Sequence, residues 1–212
     1  MNFDAYVGDR TIAVVGPAPL PYDQSAEIDA HDLVYRPGKT PGGPEYGSRV
    51  DIVYLNGRLG RTILDDTMRD LRAYNEQATW WVYKQRHGRQ YRPDGLERVA
   101  HRPTHVKNPN AVTGILWDLT HFHPASITVY GADLYAAGPE NAYHPGYDRR
   151  DQVDEANAML LHRPFEQLAA HRAIYATGLI RGDDRYLAAV TMTDAEYRAV
   201  IDRWRDAAQP LT

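Results

Sequence analysis

Two histidines stand out by the company they keep. His144 is followed by Tyr147 and Asp148, and His162 by Glu166. Near neutral pH an imidazole either takes a proton from a hydroxyl or gives one to a departing phosphate. The plain alternative for each is a surface or capping histidine, because the chain holds seven others among its nine. A second group is Asn108-Pro-Asn110-Ala-Val-Thr113-Gly114, at the start of an expected helix. A helix N-terminus presents unpaired N–H groups and the positive end of a dipole, which suits an anion. Its plain reading is a helix cap, with Asn108 or Asn110 as the capping residue. A third group is Gly16-Pro17-Ala18-Pro19, directly after the apolar run Thr11–Val15. Glycine after a buried strand lets the backbone approach a phosphate or ribose, although a simple strand-ending turn has the same pattern. The motif is not G-x-G-x-x-G, so a dinucleotide fingerprint is not supported. His121 and His123 form an H-x-H pair without a third ligand at metal-site spacing, and they read as structural. No metal site is expected.

These groups need a frame. Strands are expected at 11–15, 33–36, 50–55, 79–83 and 127–130, each a short apolar or β-branched run closed by turn residues. Helices are expected at 62–77, 110–122, 151–161, 163–177 and 194–207, with a short helix or turn at 25–31. The last helix opens with Thr193-Asp-Ala-Glu196, a capping-box pattern. Residues 85–110 read as loop with a short helix at 95–100, and 134–150 as a long irregular loop. Alternating strands and helices predict a Rossmann-like α/β fold, a mostly parallel sheet with helices on both faces. Ligands of such sheets bind at the carboxyl ends of the strands. Gly16, Asn56 and Gly131, each directly after a strand, are therefore expected along one rim.

The 212 residues suit a single domain, 1–212, large enough to bury its own core. There is no cysteine, hence no disulfide framework and no thiolate metal site. The net charge is −4, with acids and bases interspersed, which argues against general nucleic-acid binding. No apolar stretch is long enough to span a bilayer, and the N-terminus lacks a secretory pattern, so a cytoplasmic location is expected.

In their order along the chain, these motifs resemble the sialyltransferases, glycosyltransferase family 29. The long N-terminal motif of that family is similar to Ala13-Val-Val-Gly16 and Ile28-Asp29-Ala-His31-Asp32-Leu-Val34-Tyr-Arg36, followed by Gly47-Ser48-Arg49-Val-Asp51. The next family motif resembles Pro109-Asn-Ala-Val-Thr113-Gly114 with Val129-Tyr130-Gly131. The late histidine motifs are similar to His144-Pro-Gly-Tyr147-Asp148 and His162-Arg-Pro-Phe-Glu166. The chain departs from the family at Pro17 and Gly38, where the family has asparagine. The resemblance spans roughly residues 11–170.

The resemblance implies a GT-A-like variant of the fold and a metal-independent, inverting transfer of a sugar or sugar acid. The donor would be nucleotide-linked, with CMP as the nucleotide, and the acceptor a hydroxyl. His162 would be the general base and His144 would stabilise the departing phosphate. Gly16, Pro17, Ala18, Arg36, Asn56, Asn110, Thr113, Gly114 and Tyr147 would hold the donor. No cofactor beyond that donor is expected, the partners are the donor and an acceptor, and a homo-oligomer is left open. Two other readings stay open: a nucleotide or sugar-nucleotide hydrolase of the N-glycosidase type, and a non-catalytic nucleotide-binding protein.

Overall fold

The computed structural model describes residues 1–38, 40, 43–55, 73–85, 96–139, 156 and 159–208. Seven strands form one sheet: β1 (Thr11–Val15), β2 (Leu33–Pro37), β3 (Ile52–Leu55), β4 (Trp80–Tyr83), β5 (Leu96–Val99), β6 (Ser126–Tyr130) and β7 (Ile180–Gly182). Their order is β5-β4-β3-β2-β1-β6-β7, and every pairing is parallel. The helices are α1 (Phe3–Val7), α2 (Ser25–Asp29), α3 (Ala111–Leu119), α4 (Pro164–Tyr175), α5 (Asp184–Thr191) and α6 (Asp194–Ala208). This is a Rossmann-like α/β fold, as the alternation of elements predicts.

Parallel strands covered on both faces bury every residue, which is why the central strands read as continuous apolar runs. Ile12, Val14, Tyr35, Tyr54 and Val129 point to one face and form the main core with residues of α1, α3, α4, α5 and α6. Ala13, Val15, Val34 and Tyr130 point to the other face, where Ile28 of α2 and Tyr46 cover them. Helices therefore lie on both faces. The chain runs outward from β1 to β5 and then crosses to β6 on the far side of β1. Strand order reverses between β1 and β6, and in open α/β sheets this is where a crevice opens at the carboxyl edge.

The ends of β1 and β6 cross so closely that both need glycine. A Cβ on Gly16 would lie 2.4 Å from the carbonyl oxygen of Gly131. Gly131 has φ +56°, and a Cβ there would lie 2.8 Å from the carbonyl oxygen of Ala18.

Several sequence expectations change. The helix expected at 95–100 is strand β5. It is a partly exposed edge strand whose Leu96-Glu-Arg-Val sequence lacks the apolar run of a buried strand. Its anchor is tertiary: Arg98 Nη2 donates to the fully buried Asp118 carboxylate of α3 at 2.9 Å, and the guanidinium lies 4.4 Å from the Phe3 ring centre. The three-residue β7 and the helix α5 stand beyond the elements that the sequence pattern predicts. The signal for α5 was Asp183, whose carboxylate caps the helix by accepting from Tyr186 N at 2.7 Å. The capping box at α6 is present, with Thr193 N to Glu196 Oε2 at 2.8 Å and Glu196 N to Thr193 Oγ1 at 3.2 Å. Most of the helices expected at 62–77 and 151–161 falls outside the described residues, which show only their last turns as helical.

Candidate functional site

A cleft opens at the switch point, at the carboxyl ends of the central strands. Pro17 and Ala18 after β1, Pro37 of β2, Lys84 after β4 and Ala132–Tyr135 after β6 form its walls, together with Pro109–Val112 at the start of α3 and His162. The cavity volume is about 160 Å³.

The N-terminus of α3 is held by a polar core behind the cleft. Asn110 is the cap, its Oδ1 accepting from Thr113 N at 2.8 Å. Ala111 and Val112, in the first turn of α3, line the cleft, and first-turn N–H groups have no acceptor within their own helix. The Thr113 hydroxyl is 1% exposed and turned away from the cleft. It donates to Gln167 Oε1 at 2.7 Å and accepts from His171 Nε2 at 2.9 Å. His171 Nδ1 then accepts from the Tyr186 hydroxyl at 3.2 Å, so the ring carries a single proton. Complete burial pushes its pKa down to about 3 and keeps it neutral. Gln167 also accepts from Asn110 N at 3.0 Å and donates to the His162 carbonyl at 2.6 Å. One buried amide thus joins the start of α3 to the backbone of His162. Gly114 fits because Tyr54 packs on it: a Cβ would lie 2.4 Å from the tyrosine oxygen.

His162 is oriented by Asn108. Its Nδ1 lies 2.7 Å from the Asn108 carbonyl oxygen, which only accepts, so Nδ1 carries the proton. Nε2 is then the basic nitrogen. Burial lowers the ring pKa, the Asn108 bond opposes this, and the Lys84 charge lowers it further. The ring is accordingly neutral at pH 7. Lys84 Nζ donates to the Pro109 carbonyl at 2.5 Å and to Asn108 Oδ1 at 3.3 Å. Burial and the nearby Arg102 charge bring its pKa down to about 8. Sequence reasoning missed Lys84. Its only signal is position, directly after the last buried residue of β4.

The rim on the β6 side is strained. Leu134 and Tyr135 both have left-handed φ, at 52° and 68°, while Asn108 (49°) and Arg163 (51°) flank the His162 side. Such conformations cost about 1–3 kcal/mol each for most residues and cluster where a surface is built for a ligand. They are held by α6, where the Tyr197 hydroxyl donates to the Leu134 carbonyl at 2.7 Å and Trp204 Nε1 to the Tyr135 carbonyl at 2.9 Å. Asp133 also lines the cleft, but its carboxylate is paired with Arg185 at 2.8 Å and accepts from Tyr135 N at 3.0 Å.

The structure thus gathers Gly16, Pro17, Ala18, Asn110 and His162 at one end of the sheet. The turn after β1 supplies a wall without free donors. Gly16 N donates to the Tyr130 carbonyl at 2.7 Å, Ala18 N to the Gly131 carbonyl at 2.8 Å, and proline has no N–H. Arg36 lies elsewhere: it is fully buried under the opposite face of the sheet. Its guanidinium donates to the Arg49 carbonyl at 2.8 Å and to the Tyr46 carbonyl. The motif segments 28–36 and 47–51 do meet. Asp29 accepts from Ser48 N at 2.9 Å and Arg49 N at 3.2 Å. Arg49 reaches back to the carbonyls of Asp29 and His31 and to the Asp51 carboxylate. Asn56, His144, Tyr147 and Asp148 lie outside the described residues. His121 Nδ1 bonds the Trp117 carbonyl at 3.0 Å and its ring stacks on His101 at 4.4 Å between centres. Among the described residues, no group of three or more His, Asp or Glu side chains is arranged to hold a metal ion. None of the described helices is long and apolar enough to cross a membrane.

Neither the models of known protein families nor the curated proteins offer a match to this chain.

Proposed function

We propose that this protein is a sialyltransferase-like, metal-independent, inverting glycosyltransferase that moves a sugar or sugar acid from a CMP-linked donor to an acceptor hydroxyl. The observation that carries the reading is His162: a neutral imidazole on a switch-point cleft, with Nδ1 committed to the Asn108 carbonyl and Nε2 left as a base. General-base removal of a hydroxyl proton is the chemistry such a ring supplies. The ordered series of motifs that resembles the sialyltransferases supports the same reading. The donor nucleotide lies against Pro17, Ala18 and Asn110, and the resemblance would add His144, which lies outside the described residues, as the phosphate-stabilising group. Cytoplasmic action belongs to this reading, and a chain without cysteine is compatible with a reducing compartment.

A second reading is hydrolysis of the same nucleotide ligand, in which water takes the place of the acceptor hydroxyl at His162 Nε2. Both readings are tested by incubating the protein with CMP-linked sugars, with and without acceptor candidates, and following free CMP. Transfer predicts acceptor-dependent release that is lost in His162→Ala. Release that ignores the acceptor selects the hydrolase. Binding without release from any donor contradicts both and selects a non-catalytic nucleotide-binding protein.

A further inference from the structure

Lys84 is the charged group of the cleft that the general-base reading does not use. It follows β4 directly, so its backbone is fixed by the sheet, and its side chain runs along the cleft wall beside Pro109 and His162. An ammonium carries three donors. Two of them go to neutral oxygens, the Pro109 carbonyl at 2.5 Å and Asn108 Oδ1 at 3.3 Å. Among the described residues, no carboxylate lies within ion-pair distance of it.

Among the described residues, the other charges around the cleft do not neutralise it. Asp133 is engaged by Arg185 and by backbone N–H groups. Arg102 adds positive charge, and His162 is neutral. Taking an ammonium partly out of water against neutral acceptors alone is unfavourable, and an anion in the cleft reverses that cost. Asn108 ties the cation to the base. Its side-chain oxygen accepts from Lys84, and its backbone oxygen accepts from His162. The left-handed φ of 49° at Asn108 is the conformation in which both are presented.

We infer that Lys84 binds the phosphate of a nucleoside monophosphate unit in this cleft, an assignment that rests on the nucleotide reading given above. The ligand class is a phosphate monoester or diester attached to a nucleoside. Lys84 acts on it as a point charge in a partly dry site, where the interaction is stronger than in water.

The test is calorimetric binding of CMP, UMP, AMP and GMP, each against its own nucleoside, to the full-length protein and to Lys84→Met and Lys84→Arg. For the nucleotide that binds best, Lys84→Met is expected to lose about 10-fold or more in affinity, the usual weight of a hydrogen bond to a charged group. Its nucleoside should bind both proteins equally. Lys84→Arg, which keeps the charge, should retain most of the nucleotide affinity. Raising the salt concentration should weaken nucleotide binding by the unsubstituted protein more than by Lys84→Met. Unchanged nucleotide affinity in Lys84→Met overturns the assignment of Lys84 alone. Parallel loss of nucleotide and nucleoside in both variants overturns it too, because that marks a structural role. If the unsubstituted protein binds none of the four nucleotides, the nucleotide reading of the cleft fails first, and the inference falls with it.

Discussion

Two polar regions flank the sheet, and they use their side chains in opposite ways. In the segments 28–36 and 47–51, the side chains are turned inward to fasten the chain, although the buried Arg36 Nη1 has no hydrogen-bond partner among the described residues. Asp29 holds the backbone of Ser48 and Arg49, Arg49 holds the carbonyls of Asp29 and His31, and Arg36 holds those of Tyr46 and Arg49. Gly47 belongs to this knot, since its φ is +74° and a Cβ would lie 2.5 Å from the Asp29 carboxylate. Across the sheet edge, and among the described residues, the cleft keeps a cation with only neutral acceptors and a histidine with one nitrogen uncommitted. The first region fastens a loop beneath the sheet, whereas the second leaves chemistry unfinished. A motif rich in charged residues therefore marks an interlock as readily as a site. What separates the two is access: Arg36 is fully buried, whereas Lys84 and His162 line a cleft.

The sharpest way to break this comparison is to remove one residue from each region and ask which property falls. His162→Ala should lower turnover by about 100- to 10,000-fold, the range for losing a general base, and leave stability within about 1 kcal/mol. Steady-state rates beside a thermal melt measure both. A His162→Ala variant that keeps full activity contradicts the role given to the cleft.

Acid separates the regions next. His171, behind the cleft, titrates near 6.5 when unfolded, whereas burial holds it at about 3 in the folded chain. A folded pKa below the unfolded one means that the unfolded chain binds the proton first. Stability is then fully present above about pH 6.5 and falls as the pH drops below it, by about 2 kcal/mol by pH 5 from this residue. His162, also lowered, adds to the same window. Burial raises the carboxyl pKa of Asp29, but bonds from Ser48 and Arg49 outweigh this and hold it below its ordinary value. Its contribution is present above about pH 3.9 and is lost only below that. Urea titrations at pH 7, 6 and 5 should therefore show a loss that originates on the cleft side. A flat profile over that range contradicts the neutral, buried state of His171.

Asp29→Ala should cost about 1.5 kcal/mol of stability, because it strips acceptors from Ser48 and Arg49, while nucleotide affinity stays unchanged. Denaturant unfolding and calorimetry read the two separately, and a loss of affinity without a loss of stability moves Asp29 into the site. The smallest effect is expected far from both regions. Thr193→Ala removes the reciprocal cap of α6 and should cost about 1 kcal/mol. Because α6 holds the Leu134 and Tyr135 carbonyls, any loss of nucleotide affinity in this variant would show that the cap also supports the cleft rim.

The same contrast explains what could be read from the sequence. The central strands were legible because burial on both faces leaves apolar runs such as Thr11–Val15 and Ile52–Leu55. The edge strands were not. Leu96–Val99 is polar enough to be held by Arg98 and Asp118 across space, and Ile180–Gly182 is three residues long. In the cleft, His162 was legible through its residue type and neighbours, and the start of α3 through its Asn-x-x-Thr cap. Arg36 was legible as a special arginine but not as a buried one, because its partners are backbone carbonyls, which have no sequence signature. Lys84 was hidden for the converse reason. Lysines are common, and this one is distinguished only by the strand it follows and by acceptors about 24 residues further along the chain.

The central claim is that the crevice between β1 and β6 is where the nucleotide binds, and a crystal structure of the protein soaked with CMP tests it most directly. The account predicts CMP against Pro17, Ala18 and Asn110, with its phosphate at Lys84 and on the His162 side of the cleft. CMP bound elsewhere, or in the cleft with its phosphate turned away from both residues, contradicts it.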